Sequence, residues 1–267
     1  MKTGRYLITP DGEPYYNMAL DEWLFEQLSD NSFNCDAILR LYSWKTNAIT
    51  IGCNQDVSKV VDFDLLDNSI PVIKRITGGR AIFHDRSELT FSLIIGLDLI
   101  PDRLLSLSAT NRLISETLVE IFRAAGIDSI WEKQSNEKPL KSNRRRDKIS
   151  CFDSVSRYEL SSGLAKIAGG AQRRRGDYMI HQGSLKLNGV APCPAIGQEE
   201  RPVLPGVEDG KRQYYSIERL SDIFGMKFSD NLKVDFKTSK LTSSENKKFD
   251  IFYKNQRENS LKKTGFI

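Results

Sequence analysis

RITGGRAIFHD, Arg75 to Asp85, sets a Gly-Gly pair between two short apolar runs, and ELTFSLIIGL follows from Glu88 to Leu97. The first run, PVIKR (71–75), and the second, AIFHD (81–85), read as strands bracketing a glycine turn. ELTFSLIIGL is apolar without alternation, as in a strand buried on both faces. Paired glycines permit φ > 0 and a close approach of a ligand to the backbone, while Arg75 and Arg80 offer fixed charge to a carboxylate or phosphate. The spacing lacks GK[ST] and is not GxGxxG, so it is neither a Walker loop nor a dinucleotide fingerprint. Locally, the same pattern serves equally well as a plain turn, and His84 as a satisfied core or edge histidine.

Working outward, NMALDEWLFEQL (17–28) repeats Leu20, Trp23, Leu24 and Leu28 at helical spacing, with Asn17 as the expected N-cap. AILRLYSW (37–44) and NAITIGC (47–53) read as strands joined by a Lys-Thr turn, and VSKVVDFDLL (57–66) as a helix. Leu107, Leu113, Leu118, Ile121, Phe122 and Ala125 form a helical stripe that ends at Gly126. Segments 156–160, 164–171 and 178–187 read as strands, whereas SIERLSDIF (216–224) and TSSENKKFDIFYKN (242–255) read as helices, the latter opened by a Thr242/Glu245 capping box. Strands and helices mix without a βαβ rhythm, which predicts an α+β fold with a mixed, largely antiparallel sheet and packed helices. No internal repeat or composition break divides the 267 residues. The expected organisation is one domain over 1–267, with 132–149 a flexible loop and 200–267 a C-terminal helical extension.

The net charge of +4 is too small to imply nucleic acid by itself. The clusters NRRRDK (143–148) and QRRR (172–175) lack interleaved aromatics or a binding motif. A nucleic-acid- or carrier-binding module therefore stands as the non-enzyme alternative, and Arg173 to Arg175 suit an acidic protein or phosphorylated carrier equally well. No apolar run approaches the ~20 residues of a membrane span, and the N-terminus has no signal-type apolar core. The expectation is a cytoplasmic protein with no membrane or nucleic-acid partner.

The four cysteines, at 35, 53, 151 and 193, fit no zinc or disulfide pattern. Cys151 follows the polar run 132–148, and Lys166 is the single lysine between Ser150 and His181. A turn near Ser161–Gly163 could bring the two together, and an ammonium beside the sulfur would favour thiolate. Cys53 reads as a core residue and Cys193, between prolines, as part of a rigid turn; both remain weaker candidate nucleophiles.

NMALDEWL (17–24), TIGCNQ (50–55), RITGGRAIFHD with ELTFS, and KIAGGAQRR (166–174) followed by HQGSL (181–185) together resemble, in order and spacing, the lipoate-protein ligase A / biotin-lipoate ligase family. SCFDSVSRYEL (150–160) with Lys166 is similar to the cysteine-dependent branch, the octanoyl-[acyl-carrier-protein]:protein N-octanoyltransferases. The resemblance implies a biotin/lipoate ligase (class II synthetase-like) catalytic fold, a Cys151 thioester intermediate and Lys166 as its catalytic partner. It further implies that Arg75, Thr77, Gly78, Gly79, Arg80, His84, Gly169 and Gly170 bind substrate, with Ile76 and Ile82 along the acyl tunnel. The implied donor is octanoyl-acyl carrier protein. The implied acceptor is a lipoyl-domain protein such as glycine cleavage H protein or a 2-oxoacid dehydrogenase E2. No metal or cofactor is expected; ATP and magnesium enter only if the chain is instead an ATP-dependent lipoate ligase. An octanoyl amidotransferase acting between lipoyl domains is the remaining alternative. TGGR where many ligases have TGGG is a departure from the family pattern, and the C-terminal helical region looks shortened.

Overall fold

The computed structural model describes residues 2–101, 104–127, 130–131, 160–162, 165–189, 191–200 and 215–263. In chain order these form β1 (Lys2–Gly12), α1 (Pro14–Ser29), β2 (Ala37–Trp44), β3 (Ala48–Ile51), α2 (Val57–Val60), β4 (Val72–Lys74), β5 (Ile82–His84) and β6 (Leu89–Gly96). There follow α3 (Leu107–Ala124), β7 (Ile130–Trp131), β8 (Leu160–Ser162), β9 (Ala165–Arg175), β10 (Tyr178–Leu185), α4 (Ile217–Leu232), β11 (Val234–Ser239) and α5 (Ser243–Lys263).

An eight-stranded sheet in the order β11-β1-β2-β6-β10-β9-β8-β7 is joined by a three-stranded sheet, β4-β3-β5. β1 is parallel to both β11 and β2, and β3 to β4; the remaining pairings are antiparallel. The fold is thus α+β with mixed sheets. β2 and β6 lie side by side at the centre and every residue of both is buried, which explains their unalternating apolar sequences. One face of the large sheet packs on α3 and α4 through Phe91, Phe122, Phe224 and Phe228. The other carries α1 and, outside it, α5 through Trp23, Leu24 and Phe249.

Several local expectations need correction. α1 begins at Pro14 with Glu13 as N-cap, because Pro suits the first helical turn, where its missing N–H costs nothing. Asn17 lies inside the helix, fully buried, and donates to the carbonyls of Gly12 and Ser43. β2 and β3 do not form a hairpin; they belong to different sheets. Likewise β4 and β5 do not pair with each other but flank β3. The helix expected over 57–66 is the single turn Val57–Val60, and Leu107 is exposed rather than part of the core stripe of α3. The C-terminal region is not only helical, since β11 pairs with β1 and α4 packs into the main core. The expected capping box is present: Thr242 N donates to Glu245 Oε2 at 2.7 Å and Glu245 N to Thr242 Oγ1 at 3.2 Å. The loop expected at 132–149 lies outside the described residues.

Position 181 on β10 shows how tightly this sheet is filled. The His181 ring stacks on Phe91 with centroids 5.6 Å apart, and a Cβ on Gly170 of the neighbouring strand would overlap it. Its Nδ1 is buried without a hydrogen-bond partner. Burial pushes the imidazole from its ordinary 6.5 down to about 4, so the folded state holds it neutral. A folded value below the unfolded one gives a contribution that is complete above pH 6.5 and lost as pH falls toward 4. Denaturant titrations should show this group removing on the order of 3 kcal/mol of stability across that window. A His181→Leu chain should lack that part of the slope.

Candidate active site

The TGGR turn lies between the two sheets and is held from both sides. Arg75, just beyond β4, is buried, and it donates through one terminal nitrogen to Gly78 O at 2.6 Å and Arg80 O at 2.8 Å. Its other terminal nitrogen reaches Thr50 O and Oγ1, each at 3.1 Å. The arginine expected to bind substrate charge thus spends these bonds in shaping the turn. Gly79 takes φ 87°, a conformation that suits glycine. Gly52 packs so closely on the Gly78–Gly79 backbone that a Cβ would collide with it. Thr77 is fully buried and donates to Gln182 Oε1 at 2.8 Å.

Gln182 connects the turn to a buried charge that the sequence did not announce. Asp21, in α1, and Arg40, in β2, have fully buried side chains 2.7 Å apart. Asp21 Oδ1 also accepts from Ser92 at 2.8 Å, and Oδ2 from Tyr42 at 2.9 Å and Gln182 at 2.7 Å. Arg40 donates in addition to Thr9 Oγ1, Asn17 O and Asn17 Oδ1 at 2.9, 2.9 and 2.6 Å. Desolvating both ions is costly, and only such complete hydrogen bonding offsets it.

A second network lies on the β5 side. The His84 ring stacks on Trp44 at 4.1 Å, with Nε2 2.7 Å from Thr50 Oγ1 and Nδ1 2.8 Å from Glu88 Oε1. That carboxylate oxygen also accepts from Thr90 and Ser184 at 2.8 and 2.6 Å. Glu88 Oε2 contacts the fully buried Lys186 Nζ, which donates to Phe83 O at 2.8 Å and lies 3.3 Å from Asp85. Burial disfavours the Glu88 anion, but His84 and Lys186 outweigh it and hold the carboxyl down at about 2. Burial also dominates at His84 and lowers it, Lys186 and Arg75 adding to the effect against the pull of Glu88.

Between the two networks lies a cavity, part of it open to solvent, of the kind that joins apolar lining to a few convergent polar groups. Met18, Tyr42, Ile82 and Ala171 give its apolar wall; Thr50, Arg75, Gly79, His84, Gly170 and Gln182 also line it. Among the expected residues, Arg75, Gly79, His84 and Gly170 therefore meet at one cavity. Thr77 supports it from behind and Arg80 is exposed at the turn. Gly169 and Gly170 are in regular β9, opposite Ser184 and Gly183. Ile82 lines the cavity, whereas Ile76 packs toward α1.

Cys151 lies outside the described residues. β8 pairs with β9 and Ser161 opposes Lys166, while Gly163 of the turn expected near Ser161–Gly163 lies outside the described residues. Of the other thiols, burial raises Cys35 to about 11 and also raises Cys193, which is buried beside a 3₁₀ turn at Pro194–Ile196. Cys53 is half-buried rather than core, its N–H bonded to Thr77 O at 2.9 Å. Arg173, Arg174 and Arg175 have partners within the protein: Ile76 O, Thr110 Oγ1 and Asp30 at 3.3, 3.1 and 3.4 Å.

The site residues missed from sequence are Asp21, Arg40, Thr50, Glu88, Gln182 and Lys186. Charged residues inside apolar strand segments, as at Arg40 and Lys186, are the signal that could have found two of them. An Asp21→Ala chain leaves Arg40 buried and uncompensated. Its denaturant midpoint should report a loss of about 3–5 kcal/mol, and Asp21→Asn should lose a comparable amount, since it too removes the counter-ion and sets an NH2 group against two donors.

A model of the lipoyl protein ligase A/B catalytic domain matches residues 13–191. The octanoyltransferase LipM of Halalkalibacterium halodurans is 33% identical over 189 residues, 70% of this chain and 67% of its own. That of Exiguobacterium sp. is 28% identical over 94% of this chain and 95% of its own. Among solved structures, lipoate-protein ligase A bound with ATP superposes with a TM-score of 0.67 at 23% identity, covering 94% of both chains. A bi-partite lipoate protein ligase from Thermoplasma acidophilum gives 0.66 at 20%, covering 95% of this chain and 93% of that one. These structures share the fold, and the chain belongs to the lipoyl protein ligase A/B catalytic-domain family.

Proposed function

We propose that this chain is an octanoyltransferase of protein lipoylation, acting in the cytoplasm. The observation that carries the reading is the cavity walled by Met18, Tyr42, Ile82 and Ala171 beside the TGGR turn. That wall is apolar, and among the described residues no buried charge is left unmatched along it. Relatives named as octanoyltransferases support the choice of chain.

The finer reading takes octanoyl-acyl carrier protein as donor and a lipoyl-domain lysine as acceptor. The Cys151 thiolate attacks the thioester carbonyl, the new C–S bond forms, and the carrier's thiolate leaves and takes a proton. The lysine ε-amine then attacks the acyl-enzyme; the C–N bond forms, the bond to Cys151 breaks, and the amine proton passes to the departing sulfur. Thioester exchange is close to neutral in free energy and amide formation runs downhill, so this route requires no ATP. In this reading Lys166, on β9, serves to favour the thiolate and to donate to the developing oxyanion, a role worth about 3 kcal/mol where such donors have been removed. The raised values of Cys35 and Cys193 make them poor thiolates at neutral pH, which supports choosing Cys151 over them.

Intact mass measured after mixing with octanoyl-acyl carrier protein should show one octanoyl group, mapped to Cys151 and absent in Cys151→Ser. Lys166→Ala should fold normally and acylate at least 10²-fold more slowly, on the scale of losing one oxyanion donor. A label on Cys53 or Cys193, or full transfer by Cys151→Ser, overturns the thioester route. Formation of an acyl-adenylate from lipoate and ATP would instead establish a ligase.

A further inference from the structure

Lys186 and Glu88 do not line the cavity, yet they end a hydrogen-bond chain that does reach it. Glu88 Oε1 accepts from Thr90 and Ser184 while facing His84 Nδ1. A carboxylate only accepts, so Nδ1 must carry the proton. A neutral ring then leaves Nε2 as an acceptor, and the 2.7 Å contact makes Thr50 O–H its donor. With its hydrogen directed at His84, the Thr50 oxygen is free to accept from Arg75 at 3.1 Å. Arg75 in turn clamps Gly78 O and Arg80 O. Every bond from Lys186 to the glycine turn therefore has a fixed direction.

We propose that Lys186 is a positioning residue for acyl transfer: it keeps Glu88 an obligate acceptor, fixes the proton of His84 on Nδ1, and through Thr50 and Arg75 sets the shape of the TGGR turn. The consequence for acyl binding rests on the octanoyltransferase reading; the direction of the chain does not.

Electrostatics gives the reason a cation is required. The groups facing His84 are Glu88, Thr50, the Trp44 ring and Arg75, with Lys186 behind Glu88 and Asp85 beside Lys186. Lys186 and Arg75 oppose a proton on the ring, and Glu88 invites one. Without Lys186 the buried Glu88 anion has no other ammonium at hand among the described residues, and the ring beside it takes up a proton to form the ion pair. Nε2–H would then donate to Thr50 Oγ1, placing imidazolium and guanidinium against one oxygen. Arg75 loses that bond and the turn loosens.

The chain contains two histidines, so ¹⁵N-histidine NMR of the whole protein, with His84→Gln for assignment, reads the ring directly. The wild type should show a neutral Nδ1–H tautomer across pH 6–8, and an octanoyl-thioester KM that does not depend on pH there. In Lys186→Met, His84 should titrate within that range, and KM should rise about tenfold from pH 8 to 6, the equivalent of one charged hydrogen bond. Lys186→Arg should restore the neutral ring and the flat profile. Glu88→Gln with Lys186→Met should do so too, because the invitation to the second proton is gone. A purely structural lysine would predict lost stability with no change of tautomer or pH profile. An Nε2–H tautomer or an imidazolium in the wild type overturns the proposal even if Lys186→Met does not fold. So does a Lys186→Met protein with an unchanged ring, or a double variant that still titrates. Failure of the wild type to transfer octanoyl would overturn the functional reading separately, with the NMR still deciding the hydrogen-bond chain.

Discussion

One carboxylate fixes the arrangement of this fold. Asp21 sits on the buried face of α1 and receives donors from β2, β6 and β10, so three adjacent strands must present Arg40, Tyr42, Ser92 and Gln182 to the same side. A slip of one residue in any of them would turn its donor to the opposite face and strand a charge in the core. The hydrophobic contacts around it supply most of the stabilisation, but they tolerate rearrangement far better than an ion with four specific partners does. The cost of desolvating Asp21 and Arg40 is thus exchanged for a single permitted register.

The glycine turn inherits that precision from two directions. Gln182 relays the Asp21 position to Thr77 on one side, and Thr50 relays the Glu88 position to Arg75 on the other. The apolar cavity occupies the gap between these relays. Its polar rim is already hydrogen-bonded within the protein, so a ligand entering it need not satisfy abandoned donors. This is the preorganisation that acyl transfer needs, since a reaction gains from geometry that costs nothing to assemble at the moment of attack.

How much of this could be read from the chain depends on the range of the interaction. The apolar run of β6, the stripe of α3 and the Thr242/Glu245 box are patterns contained in a few residues, and they were legible. The glycine turn and the residues around it were legible through the ordered resemblance. Asn17 misled because its residue type favours a cap, whereas its partners Gly12, Ser43 and Arg40 are tertiary. β3 and its neighbours looked like hairpins because adjacency in sequence suggests pairing; the separate three-stranded sheet arises from packing that no local pattern encodes. Asp21 and Gln182 are 161 positions apart, so nothing in either segment alone announces their bond. Lys186 is the instructive case, since a lysine within the strand segment 178–187 signals a buried charge, but not that Glu88 is its partner.

The parallel pairing of β11 with β1 has a consequence for synthesis. β1 is made before the other described strands, yet one of its two edges is completed only by Val234–Ser239. The nascent chain must therefore carry an open strand edge until Val234–Ser239 has been made, a surface on which other extended chains can add. β1 does gain β2 early on its other side, which halves the exposure. β11 thus acts as a cover strip for β1, and a ribosome that stalls before residue 234 leaves behind a sheet with an unfinished border and a tendency to stick to its neighbours.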